Sequence, residues 1–143
     1  MVAFKKNKIN GWLKIESNAG EHSIVLYGRI RGLEPDTYYS FKVHTWGDIT
    51  KNCKGTGIVM YPKYITKEDQ LKSFGRLIQI KSDINGTISI DTTSKGFSLV
   101  GDKSSILGRS IGIHKMKIDG EDLDMHGGYY NVVACGVVGQ ISY

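Results

Sequence analysis

Apolar and polar residues alternate with a period of two along most of this chain, the pattern of strands that bury one face. Trp12-Leu13-Lys14-Ile15 and the run from Ser23 to Ile30 read as strands, with a turn at Asn18-Ala19-Gly20 between them. Gly32-Leu33-Glu34-Pro35-Asp36 makes a second turn. In the strand that follows, Tyr39, Phe41 and Val43 share one face, while Ser40, Lys42 and His44 share the other. Leu77 to Lys81 and Thr87 to Asp91 flank Asn85-Gly86, the strongest short-range hairpin signal in the chain. Phe97 to Val100, Ile111 to His114 and Val132 to Val138 complete a set of about eight short strands. Only Thr66 to Phe74 offers a helical turn, with Thr66 as N-cap and Glu68-Asp69 in the first turn. The pattern predicts an all-β fold, an eight-stranded Greek-key barrel or sandwich.

Composition narrows this picture without changing it. The 143 residues carry no repeat, linker or low-complexity stretch, so one domain over 1–143 is expected. Gly is abundant at 18 and Pro scarce at 2, which suits many turns between short strands. The start, Met1 to Lys8, is basic with no apolar stretch after it, so the expected location is intracellular rather than secreted. On that expectation the glycosylation sequon Asn85-Gly86-Thr87 is a coincidence. No apolar run reaches membrane-span length, and no membrane partner is expected. The net charge of +5 raises nucleic acid as a partner. The lysines look scattered and the aromatics do not interleave with them, so no nucleic acid is expected either. Cys53 and Cys135 lie far apart, and in a cytosolic chain they would stay two buried thiols.

Three stretches carry a resemblance. Phe41-Lys42-Val43-His44-Thr45-Trp46-Gly47-Asp48, followed by Cys53 and Gly57, resembles the metal-loop signature of copper/zinc superoxide dismutases. Ile106-Leu107-Gly108-Arg109-Ser110-Ile111-Gly112-Ile113-His114 resembles the family's strand bearing its last copper ligand, and Ala134-Cys135-Gly136-Val137-Val138-Gly139 its C-terminal strand. The order is right and the likeness spans nearly the whole chain.

The resemblance implies a site with substitutions. His44 and His114 stand at copper-ligand positions, while Lys42 replaces the other histidine of the His-x-His pair and Val59 the bridging one. Ser73 and Arg76 fall at zinc-ligand positions, and Val132 where the family keeps an anion-guiding arginine. A protonated lysine repels a metal ion, and redox copper wants nitrogen donors suited to both of its states. The expectation is therefore no enzyme: no zinc, and at most weak copper at His44 and His114. Met116 and Met125 are possible soft donors beside His114, but read better as packing or surface; His22 and His126 read as surface residues. An ion pair of Arg76 with Asp122, or else Asp124, would stand in for the lost zinc.

The resemblance also implies a Cys53–Cys135 disulfide, overriding the reading as thiols. It implies a homodimer through Trp46, Ile49, Ile106, Leu107, Val138 and Ile141. Within the family the chain is most similar to the inactive superoxide dismutase-like proteins of poxviruses. That implies a viral decoy or virion component in host cytoplasm, with the host copper chaperone for superoxide dismutase as a partner. The alternative is a copper-binding protein with a reduced two-histidine site.

Overall fold

The alternation does set the strands, and their inward residues meet in one core. A computed structural model describes residues 1–18, 23–60, 76–99, 105–117 and 132–140. Its strands are β1 (Val2–Lys6), β2 (Ile9–Ser17), β3 (Ser23–Arg31), β4 (Tyr38–His44), β5 (Arg76–Lys81), β6 (Ile88–Lys95), β7 (Ser110–Lys115) and β8 (Val132–Val137), with one 3-10 turn at Lys54–Thr56. They form two antiparallel four-stranded sheets, β1-β2-β3-β6 and β5-β4-β7-β8, a Greek-key sandwich. Phe4 from the first sheet meets Phe41 from the second edge-on, at 6.0 Å between ring centroids. Leu13, Leu26, Ile30, Val43, Ile111 and Ile113 fill the space around them and are all fully buried.

Among the described residues there are eight strands, the number expected, but one member differs. Val2 and Phe4 alternate inward as β1, a strand that the neighbouring Lys5 and Lys6 disguise as a basic leader. Phe97 to Val100 is not a strand among the described residues. Phe97 is buried, and Ser98 forms an isolated bridge with Ser105. The Asn85-Gly86 turn is real but does not close a hairpin, because β5 pairs with β4 while β6 pairs with β3. It is an arch between the sheets. Asp83 Oδ1 accepts from the amides of Asn85 and Thr87, at 2.8 and 2.9 Å, while the Gly86 carbonyl accepts from Leu33 N at 3.1 Å. Gly86 sits at φ 75°, and a Cβ there would lie 2.1 Å from the Leu33 oxygen, so only glycine fits. The Thr66 to Phe74 turn lies outside the described residues.

The two sheets also touch where β1 runs beside β8. Gly136 has no Cβ to strike the Ala3 oxygen, which one would meet at 2.3 Å. Gly139 N donates to the Met1 oxygen at 3.1 Å across the same seam.

Candidate metal centre

Lys42 and His44 lie on the outward face of β4, because their neighbours Phe41 and Val43 are committed to the core. Register places Ser40, Lys42 and His44 opposite His114, Gly112 and Ser110 of β7, so all six side-chain positions share that face. The face is nevertheless closed off from water: His44 is 0%, Lys42 1% and His114 3% exposed. The segment after β4 covers part of it. Its backbone runs back along the strand through Thr45 N to Ile58 O at 3.0 Å and Met60 N to Val43 O at 2.7 Å.

The two imidazoles are in contact. Their Nε2 atoms are 2.9 Å apart and the rings lie nearly parallel, at 6°. His44 Nδ1 lies 2.8 Å from the Gly57 carbonyl oxygen. A carbonyl can only accept, so that nitrogen carries the proton, and the Nε2 of a neutral His44 is a bare lone pair. The proton between the two Nε2 atoms then belongs to His114. Gly112 makes room for this arrangement: a Cβ there would stand 3.0 Å from His44 Nε2 and 3.2 Å from His114 Nε2.

The loop that presents Gly57 is tied down twice. Cys53 is bonded to Cys135 of β8, so the disulfide expectation holds and the thiol reading does not. Thr56 Oγ1 donates to the Cys53 oxygen at 2.7 Å, closing the turn just before Gly57. Lys51, Asn52 and Cys53 all have positive φ, at 54°, 60° and 70°, an uncommon run for non-glycine residues. Arg109 braces the other side, donating to the Thr45 oxygen at 2.9 Å and the Ser105 oxygen at 3.0 Å.

The remaining positions fall as follows. Val59 is buried and bridges His44 on the strand-like return of the loop. Arg76 begins β5 opposite Lys42 and donates to Gln79 Oε1. Val132 begins β8 beside His114. Ser73, Asp122, Asp124, His22, His126, Met125 and Ile141 lie outside the described residues, so the Arg76–Asp122 pair does too. Met116 is buried, as packing predicts. Of the apolar dimer set, Trp46, Ile49 and Leu107 are exposed, at 63%, 44% and 45%, but Ile106 and Val138 are buried core residues. Sequence reasoning could not separate the two groups, because an apolar residue in a loop can point either way. It also missed Gly57 and Gly112, whose contributions are a carbonyl and an absent side chain.

As a test of fit, metal–nitrogen bonds of about 2.0–2.1 Å suit two donors 2.9 Å apart when they are neighbours on one ion. Ring centroids 5.1 Å apart leave the two Nε2 atoms facing each other head-on, so the pair fits one copper once the rings tilt to aim both lone pairs at it. Among the described residues no group of three or more His, Cys, Asp or Glu is placed to hold an ion, so any third donor of those types lies outside them.

The family model for copper/zinc superoxide dismutase (SODC) matches residues 9–138. An extracellular superoxide dismutase [Cu-Zn] of Brugia pahangi is 32% identical over 141 residues, covering 91% of this chain and 69% of the relative. The crystal structure of the clock protein EA4 superposes with a TM-score of 0.76 at 24% identity, covering 98% of this chain and 92% of that one, a likeness of fold. Two expectations are corrected by the Brugia relative. It is named as a dismutase, which overturns the reading of the chain as a non-enzyme. It is named as extracellular, which overturns the reading as not secreted. The basic start that suggested an intracellular chain is strand β1, so it carried no information about location. With the fold, the sheet register at His44 and His114, and the match over 9–138 in agreement, the chain belongs to the copper/zinc superoxide dismutase family.

Proposed function

We propose that this protein binds copper through Nε2 of His44 and Nε2 of His114. The observation that carries the reading is the buried, face-sharing imidazole pair, with nitrogens 2.9 Å apart. Copper held there supplies one-electron exchange, the chemistry for which the family is named. The chain's own residues prepare the donors. Gly57 O holds the Nδ1 proton of His44 and so turns its Nε2 lone pair toward the site. His114 must move its proton from Nε2 to Nδ1 before it can donate. Gly112 keeps the space between the rings open.

Metal-stripped protein loaded with copper, then desalted and analysed for metal, tests this. About one copper per chain is expected, with nitrogen hyperfine structure in the electron paramagnetic resonance spectrum of the copper(II) form. His44→Ala and His114→Ala should each remove it while far-ultraviolet circular dichroism stays that of the wild type. Equal copper retention by the double variant would refute the site. Zinc in competition should be displaced by copper, following the order of divalent-ion affinities.

A homodimer belongs to the same reading. Trp46 and Ile58 flank Gly57, Leu107 lies beside the Gly47–Gly108 contact, and both Trp46 and Ile58 are more than 60% exposed. Together they form an apolar patch of the kind that soluble proteins cover. Sedimentation at micromolar concentration should give twice the chain mass, and Trp46→Glu should halve it. A wild-type mass of one chain would remove this part.

A further inference from the structure

The outer face of the first sheet, remote from the histidines, has a composition of its own. Register puts Ala3, Trp12, Arg29 and Ser89 in one row across β1, β2, β3 and β6, with Lys14, Tyr27 and Asp91 in the next. Trp12 and Tyr27 sit on the two central strands, 38% and 55% exposed, with ring centroids 5.6 Å apart and planes tilted by 57°. Lys5, Lys14, Arg29 and Arg31 share this face with them. The acidic residues beside them are Asp91 and Glu16, and Glu16 is paired with Lys14 at 3.2 Å. A groove of about 450 Å³ runs from Trp12 and Tyr27 past Arg29 to Ser89 and Asp91. Along the sequence these basic and aromatic residues look unrelated. Strand alternation and register are what gather them.

Exposed aromatics on adjacent central strands of a four-stranded sheet, ringed by basic side chains, form a stacking platform with charge for a phosphate backbone. We propose that this face binds single-stranded nucleic acid. Bases would stack on Trp12 and Tyr27, and phosphates would be met by Lys5, Arg29 and Arg31. Unpaired bases are required, because the rings rise from a sheet face that a duplex offers only its backbone. A sulfated glycan shares the charge and lays its sugar C–H faces on such rings, so heparin is the ligand from which the test must separate a single strand.

Fluorescence anisotropy of a labelled 20-nucleotide single strand, titrated with the whole protein at low salt, tests the proposal. Binding is expected, with a log–log salt slope between about −2 and −3, set by three or four phosphate contacts. Trp12→Ala and Tyr27→Ala should each weaken binding roughly tenfold. Trp12→Phe should restore most of the loss. Arg29→Glu with Arg31→Glu should weaken it further and flatten the salt slope. All four positions point outward, so thermal melting of the variants should stay near that of the wild type. Three results would overturn the idea: no binding at low salt, binding indifferent to the aromatic substitutions, or equal affinity for heparin or for the same sequence as duplex. Retained copper in these variants separates this face from the histidine pair.

Discussion

His44 gives its Nδ1 proton to the carbonyl of Gly57, 2.8 Å away and thirteen residues downstream, and this bond decides what its other nitrogen can do. Nitrogen-15 spectra of the metal-free protein should show His44 as the Nδ1–H tautomer and His114 carrying a proton on Nε2. The contact between the two rings should appear as a coupling or cross-peak at His44 Nε2. A His44 protonated on Nε2 would refute the assignment.

Gly112 and Gly108 separate two effects of adding a methyl group. Gly112→Ala places a Cβ 3.0 and 3.2 Å from the two Nε2 atoms, so the rings must part. Overpacking of this kind costs about 1–3 kcal/mol, and copper retention should fall with it. Gly108 has φ 81° and nothing within 4 Å of the added carbon. Gly108→Ala should therefore cost about 1 kcal/mol through backbone strain alone and leave copper retention unchanged. Chemical denaturation beside metal analysis distinguishes the two.

Cys53 and Cys135 are 82 residues apart, and closing so long a loop stabilises the fold by about 4–5 kcal/mol in the chain-entropy model. Replacing both with serine should lower stability by about 2–5 kcal/mol. The His44–Gly57 bond should loosen at the same time, read as faster exchange of backbone amides around Thr56. Unchanged exchange there would show that the Thr56–Cys53 turn holds Gly57 without the disulfide.

Asp48 anchors the loop that carries Ile49. Hydrogen bonds from the Thr50 hydroxyl and amide, at 2.5 and 2.9 Å, hold its carboxyl below the usual range. The folded value lies below the unfolded one, so the contribution is complete above the unfolded value of about 3.9 and is lost as pH falls through the folded value. Relative to its intrinsic rate at each pH, amide exchange at Thr50 should therefore accelerate only under acid conditions below about pH 4. Asp48→Asn should accelerate it at neutral pH and flatten the profile.

The second sheet was legible from alternation because Phe41, Val43, Ile111 and Ile113 are apolar at every second place. The same alternation put Lys42 and His44 together on the other face. What could not be read was the register of β4 against β7, which sets Gly112 between the rings and depends on contacts 70 residues apart. Asn85-Gly86 announced a turn, yet turn chemistry is local and says nothing of which sheet receives the next strand. β1 escaped notice because Lys5 and Lys6 outweigh Val2 and Phe4 when a short window is read for charge. Ile106 and Val138 are buried at a loop and a strand end, where no periodicity betrays which way a residue points.

The seam where Gly136 passes Ala3 has a consequence for how the chain reaches its folded form during synthesis. β1, β2 and β3 leave the ribosome early and can pair in order, each with its neighbour. The side of β1 away from β2 faces β8, which among the described strands emerges after all the others. Until β8 arrives, that edge is an open row of amides and carbonyls, the kind of template on which nascent chains join one another. Contacts between such distant segments are slow to form, so the unprotected interval is long compared with the closing of β1 on β2. In a pulse of hydrogen exchange during refolding, the amides between β2 and β3 should gain protection well before Gly139.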